Sequence, residues 1–82
     1  MKKKYYNKID ANSIEVLSSS TTSLRTIKVT LGKAVERNKD YYSCYQATRS
    51  MMIVGDLIVK FKVTLLDCYA HITIIRVEKL EG

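Results

Sequence analysis

The stretch RSMMIVGDLIVKFKVTLLDCYAHITIIRV, residues 49–77, decides how this chain is read. Within it Leu57, Val59, Phe61, Val63 and Leu65 alternate with Ile58, Lys60, Lys62 and Thr64, the two-residue period of a strand with one dry face and one largely polar face. Gly55-Asp56 before that strand suits a two-residue type II′ hairpin, since glycine takes the first central position without strain. The turn sets Val54 opposite Leu57 and Met52 opposite Val59. If Leu66-Asp67 is the next two-residue connection, Val63 meets Ala70, Phe61 meets Ile72 and Val59 meets Ile74. A slip of one residue would turn His71 and Thr73 into the core, so the face assignment is firmly specified. The phase of the third strand changes at Ile74-Ile75, as a β-bulge produces.

The opposite face of this meander collects Arg49, Met51, Ile53, Ile58, Lys60, Lys62, Tyr69, His71, Thr73 and Ile75. It is divided. Met51, Ile53, Ile58 and Ile75 make one end apolar, a patch of the kind that a partner covers. Arg49, Lys60, Lys62 and Tyr69 make the other end cationic and aromatic.

Working outward, Arg25, Ile27, Val29 and Leu31 alternate with polar residues and read as a strand, preceded by the polar loop Ser18–Ser23 and a short candidate strand Ser13–Leu17. From Gly32 to Thr48 two periods compete. Ala34, Val35, Asn38, Tyr42, Tyr45 and Arg49 recur at helical steps, whereas Tyr41, Tyr42 and Tyr45 favour a strand that leads into the meander. The expectation is a mainly β fold: a small five-stranded antiparallel sheet or partly open barrel ending in the meander. The alternative is α+β, with a helix around residues 33–48 packed on the sheet. Residues 1–12 read as a basic N-terminal arm and 13–82 as one small domain.

The chain has 82 residues, of which 46% are hydrophobic, enough for one modest core and no second domain. Its net charge of +6 points to acidic partners such as nucleic acid. Cys44 and Cys68 are read as reduced thiols of a cytoplasmic protein. Met1 to Lys4 resembles the start of a signal peptide, but Tyr5–Asp10 follows where an apolar run belongs, and no segment reaches the ~20 apolar residues of a membrane span.

Catalytic chemistry is not expected. His71 is the only histidine, and Lys62, its expected neighbour across the strands, disfavours the imidazolium. Cys44, Cys68 and His71 fall short of a four-ligand zinc set, and Gly32-Lys33 lacks the rest of a phosphate loop, so no metal or cofactor is expected. Single-stranded nucleic acids are held by cationic grooves and aromatic faces. The first functional expectation is therefore a non-enzymatic module that binds RNA or single-stranded DNA through Lys28, Arg49, Lys60, Lys62 and Tyr69. The second is a small phage or mobile-element type protein that docks on a host protein or nucleoprotein complex through Met51, Ile53, Ile58 and Ile75, and inhibits it. A homodimer through that patch is a third; neither a membrane nor a small-molecule substrate is expected.

Overall fold

In a computed structural model, the described residues are 3–6, 11–66 and 69–80, with side chains described for 15–66 and 70–80. Strands Lys3–Tyr6 (β1), Thr48–Val54 (β2), Leu57–Leu65 (β3) and Tyr69–Lys79 (β4) form one sheet in the order β1-β4-β3-β2. β2, β3 and β4 are the antiparallel meander, and β1 adds to β4 in parallel. Helices Ala11–Ser18 (α1) and Leu24–Arg37 (α2) lie in the connection between β1 and β2. The architecture is β-rich with helices laid on one face of an open sheet, and so agrees with the α+β alternative. Five strands are not found among the described residues.

The hairpin across Gly55-Asp56 has the expected register, with Val54 opposite Leu57 and Met52 opposite Val59. The β3–β4 register differs from expectation by two residues: Val63 meets Ile72, Phe61 meets Ile74 and Leu65 meets Ala70. Residues 66–68 therefore lie between the strands, instead of Leu66-Asp67 alone. Neither leucine nor aspartate readily adopts both left-handed positions of a tight hairpin turn, which favours the longer connection. A two-residue slip returns every side chain to its own face, so the hydrophobic pattern does not distinguish the two registers. The bulge does fall where the phase change placed it. Lys60 pairs with Arg76 and Phe61 with Ile74, leaving Ile75 as the extra residue.

Both strands expected before the meander are helical. Ser13–Leu17 lies inside α1, whose last turn is closed by Ser18 Oγ donating to Glu15 O (2.7 Å) and Ser19 Oγ donating to Val16 O (3.0 Å). Arg25–Leu31 lies inside α2. Over seven residues Ile27, Val29 and Leu31 look alternating, but over fourteen only the three- and four-residue spacing of Leu24, Ile27, Leu31 and Val35 persists, because Lys33 breaks the alternation. Ile27, Leu31 and Val35 are buried, whereas Val29 is 49% exposed. Ser23 caps the helix by accepting from the Thr26 amide at 3.1 Å. At its far end the Asn38 amide and Nδ2 both donate to Ala34 O. The helix expected around 33–48 thus ends at Arg37, and the strand expected from Tyr41 begins only at Thr48.

The core lies between α2 and the inward residues of the meander, Val54, Leu57, Val59, Phe61, Val63, Ala70, Ile72, Ile74 and Val77. Val16 and Leu17 of α1 pack against it. One polar knot fixes this helical layer to the hairpin. Ser20 Oγ and Thr22 Oγ1 both donate to Asp56 Oδ1, the latter at 2.9 Å, and the Thr22 amide donates to Ser20 Oγ at 2.9 Å. Lys79 Nζ lies 3.5 Å from Asp56 Oδ2 and donates to Ser19 O, while the Leu80 amide donates to Asp56 O. Gly55, at φ +61°, has Thr22 Oγ1 directly where a Cβ would stand, so both conformation and space demand glycine there.

Two outcomes follow from this packing. Ile27→Ala should cost about 2–4 kcal/mol in chemical denaturation and Val29→Ala under about 1 kcal/mol. Similar losses at both positions would mean that residues 24–37 do not pack as this helix. The hydrogen bonds from Ser20 and then Thr22, helped by its own amide and Lys79, hold the Asp56 carboxyl below its ordinary pKa against a smaller desolvation effect. A depressed folded-state pKa contributes stability that is present above the unfolded value, about 3.9, and is lost as pH falls through the folded value. The stability advantage of the native protein over Asp56→Asn should therefore be constant near neutrality and shrink below about pH 4. An advantage that stays unchanged down to pH 2 would show that the carboxylate charge is not what the knot uses.

Candidate nucleic-acid interface

The face of the meander turned away from α2 is built by alternation. Arg49, Met51 and Ile53 come from β2, Ile58, Lys60, Lys62 and Thr64 from β3, and His71, Thr73, Arg76 and Glu78 from β4; none belongs to the core cluster, and all are partly or fully exposed. The register sets Arg49 opposite Lys62, Met51 opposite Lys60 and Ile53 opposite Ile58. On the other side of β3, Lys60 faces Arg76, Ile58 faces Glu78, Lys62 faces Thr73 and Thr64 faces His71. His71 thus stands across from Thr64, not from Lys62 as the two-residue connection implied.

Charge on this face is unevenly compensated. Glu78 Oε2 lies 3.0 Å from Arg76 Nε and 3.5 Å from Lys60 Nζ, one carboxylate between two cations. All three are part exposed, so each contact adds little stability. Arg49 and Lys62 stand directly opposite each other, and no ion pair among the described residues reaches either. Like charges at directly paired positions destabilise a sheet.

Of the residues proposed for nucleic acid, Arg49, Lys60 and Lys62 are brought together. Lys28 is not: it lies on α2, in the layer that covers the other side of the sheet. Tyr69 begins β4 and is paired with Lys3 of β1, and its side chain lies outside the described residues, as does Cys68. Arg76 was missed by pattern reading. The signal was present, because the bulge at Ile75 reverses the phase and sends Arg76 and Glu78 to the face of Lys60. Among the apolar group, Met51 is 64% exposed and Ile53 is 60% exposed, Ile58 is directly paired with Ile53, and Ile75 occupies the bulge.

Beside β2 the chain leaves α2 through a single 3-10 turn, Lys39–Tyr41, which forms one side of an open cavity of about 640 Å³. Its wall takes Arg49, Ser50 and Met51 from β2 and reaches across Lys60 and Phe61 of β3 to Ile75 of β4, so it begins at that edge and extends over the sheet. Tyr42 is buried, with its hydroxyl 3.4 Å from Ser50 Oγ. Its ring meets Tyr41 edge to face, at 5.1 Å between centroids and 86° between planes. Tyr41, also on the wall, is 68% exposed. Asn38, Lys60, Phe61 and Ile75 complete the lining. Tyr45, beyond the cavity, adopts a left-handed φ of +61° and donates its amide to Leu65 O at 2.8 Å.

Among the described residues no group of His, Cys, Asp and Glu is placed to hold a metal ion, and no helix is long and apolar enough to cross a membrane. No protein-family model, curated protein or solved structure matches this chain.

Proposed function

We propose that this protein binds single-stranded RNA or DNA, non-enzymatically, on the open face of the meander. The observation that carries the reading is the Arg49–Lys62 pair. Two cations held opposite each other without a carboxylate among the described residues cost the fold stability, and departures of this kind from local consistency are expected at functional sites. A phosphate placed between them removes the repulsion and gains charge-assisted hydrogen bonds. Lys60 and Arg76 extend the cationic track across the sheet, with Glu78 setting their spacing. Phosphate contacts of this kind fix register and orientation without selecting sequence.

Lys62→Glu separates binding from folding. The substitution turns a like-charge pair into an opposite-charge pair, so the variant should be more stable than the native protein by about 0.2–1 kcal/mol. Its affinity for a short single strand at physiological salt should nevertheless fall about tenfold, and the slope of log affinity against log salt should flatten by about one ion. Fluorescence anisotropy over a salt series reads both quantities. Undiminished binding with an unchanged slope would remove the phosphate role of this pair.

A second reading, docking on a partner protein, is favoured by β2 itself. It is an edge strand whose outward backbone groups make no hydrogen bond to other described residues, and it carries the exposed Met51 and Ile53. Exposed edges with apolar side chains recruit a further strand. On this reading Ile53→Asp abolishes capture of the partner at a cost of about 1 kcal/mol in stability, from the lost pairing with Ile58 and the poor strand propensity of aspartate, which leaves the protein folded. Retained capture by the folded variant would exclude the edge as the contact.

A further inference from the structure

The cavity that begins at β2 adds aromatic and hydrogen-bonding groups to part of the charged face, since Arg49 and Lys60 belong to both. Tyr42 is anchored by burial and by its hydroxyl near Ser50, and its edge-to-face contact presets the neighbouring Tyr41 ring, most of which is open to solvent. An exposed aromatic held in place binds a planar ligand with less loss of side-chain freedom than a mobile one. Asn38, on the wall, donates its Nδ2 to Ala34 O, so the acceptor its side chain can offer a ligand is Oδ1. Ser50 contributes a hydroxyl, and Arg49 and Lys60 bring charge to the same wall. The volume of about 640 Å³ falls within the range of roughly 300–1,000 Å³ typical of ligand sites, and exceeds what one side chain needs.

We propose that this cavity receives one unstacked base of the bound single strand, with its ring against Tyr41, its hydrogen-bonding edge toward Asn38 and Ser50, and its flanking phosphates on Arg49 and Lys62. The assignment rests on the nucleic-acid reading of the open face and adds a base site to it. Aromatic rings, hydrogen-bonding groups and cations converge as single-strand recognition requires. Arg49 links the two regions, since it lines the cavity and also faces Lys62. A strand crossing the sheet at that point passes its phosphates over the cationic pair while one base turns into the cavity toward Tyr41.

The test compares a short single-stranded oligonucleotide with one of the same length carrying abasic sites, using the full chain in its native form and as Tyr41→Ala, Tyr41→Phe and Lys62→Glu. Affinity of the Tyr41→Ala variant for the base-bearing strand should fall about 5- to 100-fold, with no change toward the abasic strand, and Tyr41→Phe should bind like the native protein. Because Tyr41 is largely in solvent, circular dichroism should be the same for all variants. If Tyr41→Ala binds both strands as the native protein does while Lys62→Glu still weakens binding, the base site is wrong and the phosphate-binding face stands. If Tyr41→Ala weakens both strands equally, the ring supports the fold or the backbone track and takes no base. If the native protein binds neither strand even at low salt, both the base site and the nucleic-acid reading are overturned, and the β2 edge becomes a protein-docking surface.

Discussion

One carboxylate holds the layers of this protein in register. Asp56 sits in the turn between β2 and β3, accepts from Ser20 and Thr22 in the loop between the helices, and is approached by Lys79 from the end of β4. Thr22 is buried there, so its hydroxyl requires a partner, and Gly55 leaves the room that lets it reach one. With its start fixed at that turn, α2 can cover the sheet along only a narrow range of directions. Its fourteen residues span about 21 Å, close to the length of seven extended residues, about 23 Å. The helix therefore ends beside the start of β2, which is where Asn38, Tyr41 and Tyr42 are delivered. The cavity is in this sense a consequence of the Asp56 knot at the opposite end of the strand.

The bulge at Ile75 has a comparable reach. An uninterrupted β4 would send Arg76 and Glu78 toward the core and Val77 into water. The extra residue reverses the phase, buries Val77, and places a cation and a carboxylate beside Lys60. Two charges are thus spared desolvation, each of which would have cost several kcal/mol (~) without a partner. The same shift gives the open face its mixed character, with compensated charge along β4 and, at Arg49 and Lys62, charge that no ion pair among the described residues compensates. Stability alone disfavours that pair, a conflict that the proposed polyanionic ligand would resolve.

The meander was legible because its information is local. Alternation from Leu57 to Leu65, a glycine turn at Gly55 and a phase change at Ile74-Ile75 each act over a few residues, and each appears in the fold. Apart from Tyr69, whose side chain lies outside the described residues, the residues grouped on the open face followed from the same alternation. Less was legible where one pattern served two structures. Ile27, Val29 and Leu31 satisfy a strand as well as a short helix, and only the longer run to Val35, with Ser23 as cap, distinguishes them. Lys28 was consequently grouped with cations on the far side of the sheet.

Sequence by itself determined which side chains of the meander face inward and where its last strand changes phase, because a two-residue period fixes faces whatever the neighbours are. It did not determine the β3–β4 offset, since registers two residues apart bury the same faces. Nor did it determine the cavity. Tyr41, Tyr42 and Asn38 lie 8 to 12 residues from Ser50 along the chain, and no local pattern reports that they will meet across the β2 edge. Only the tertiary structure decided that, through the fixed start, length and capped end of α2.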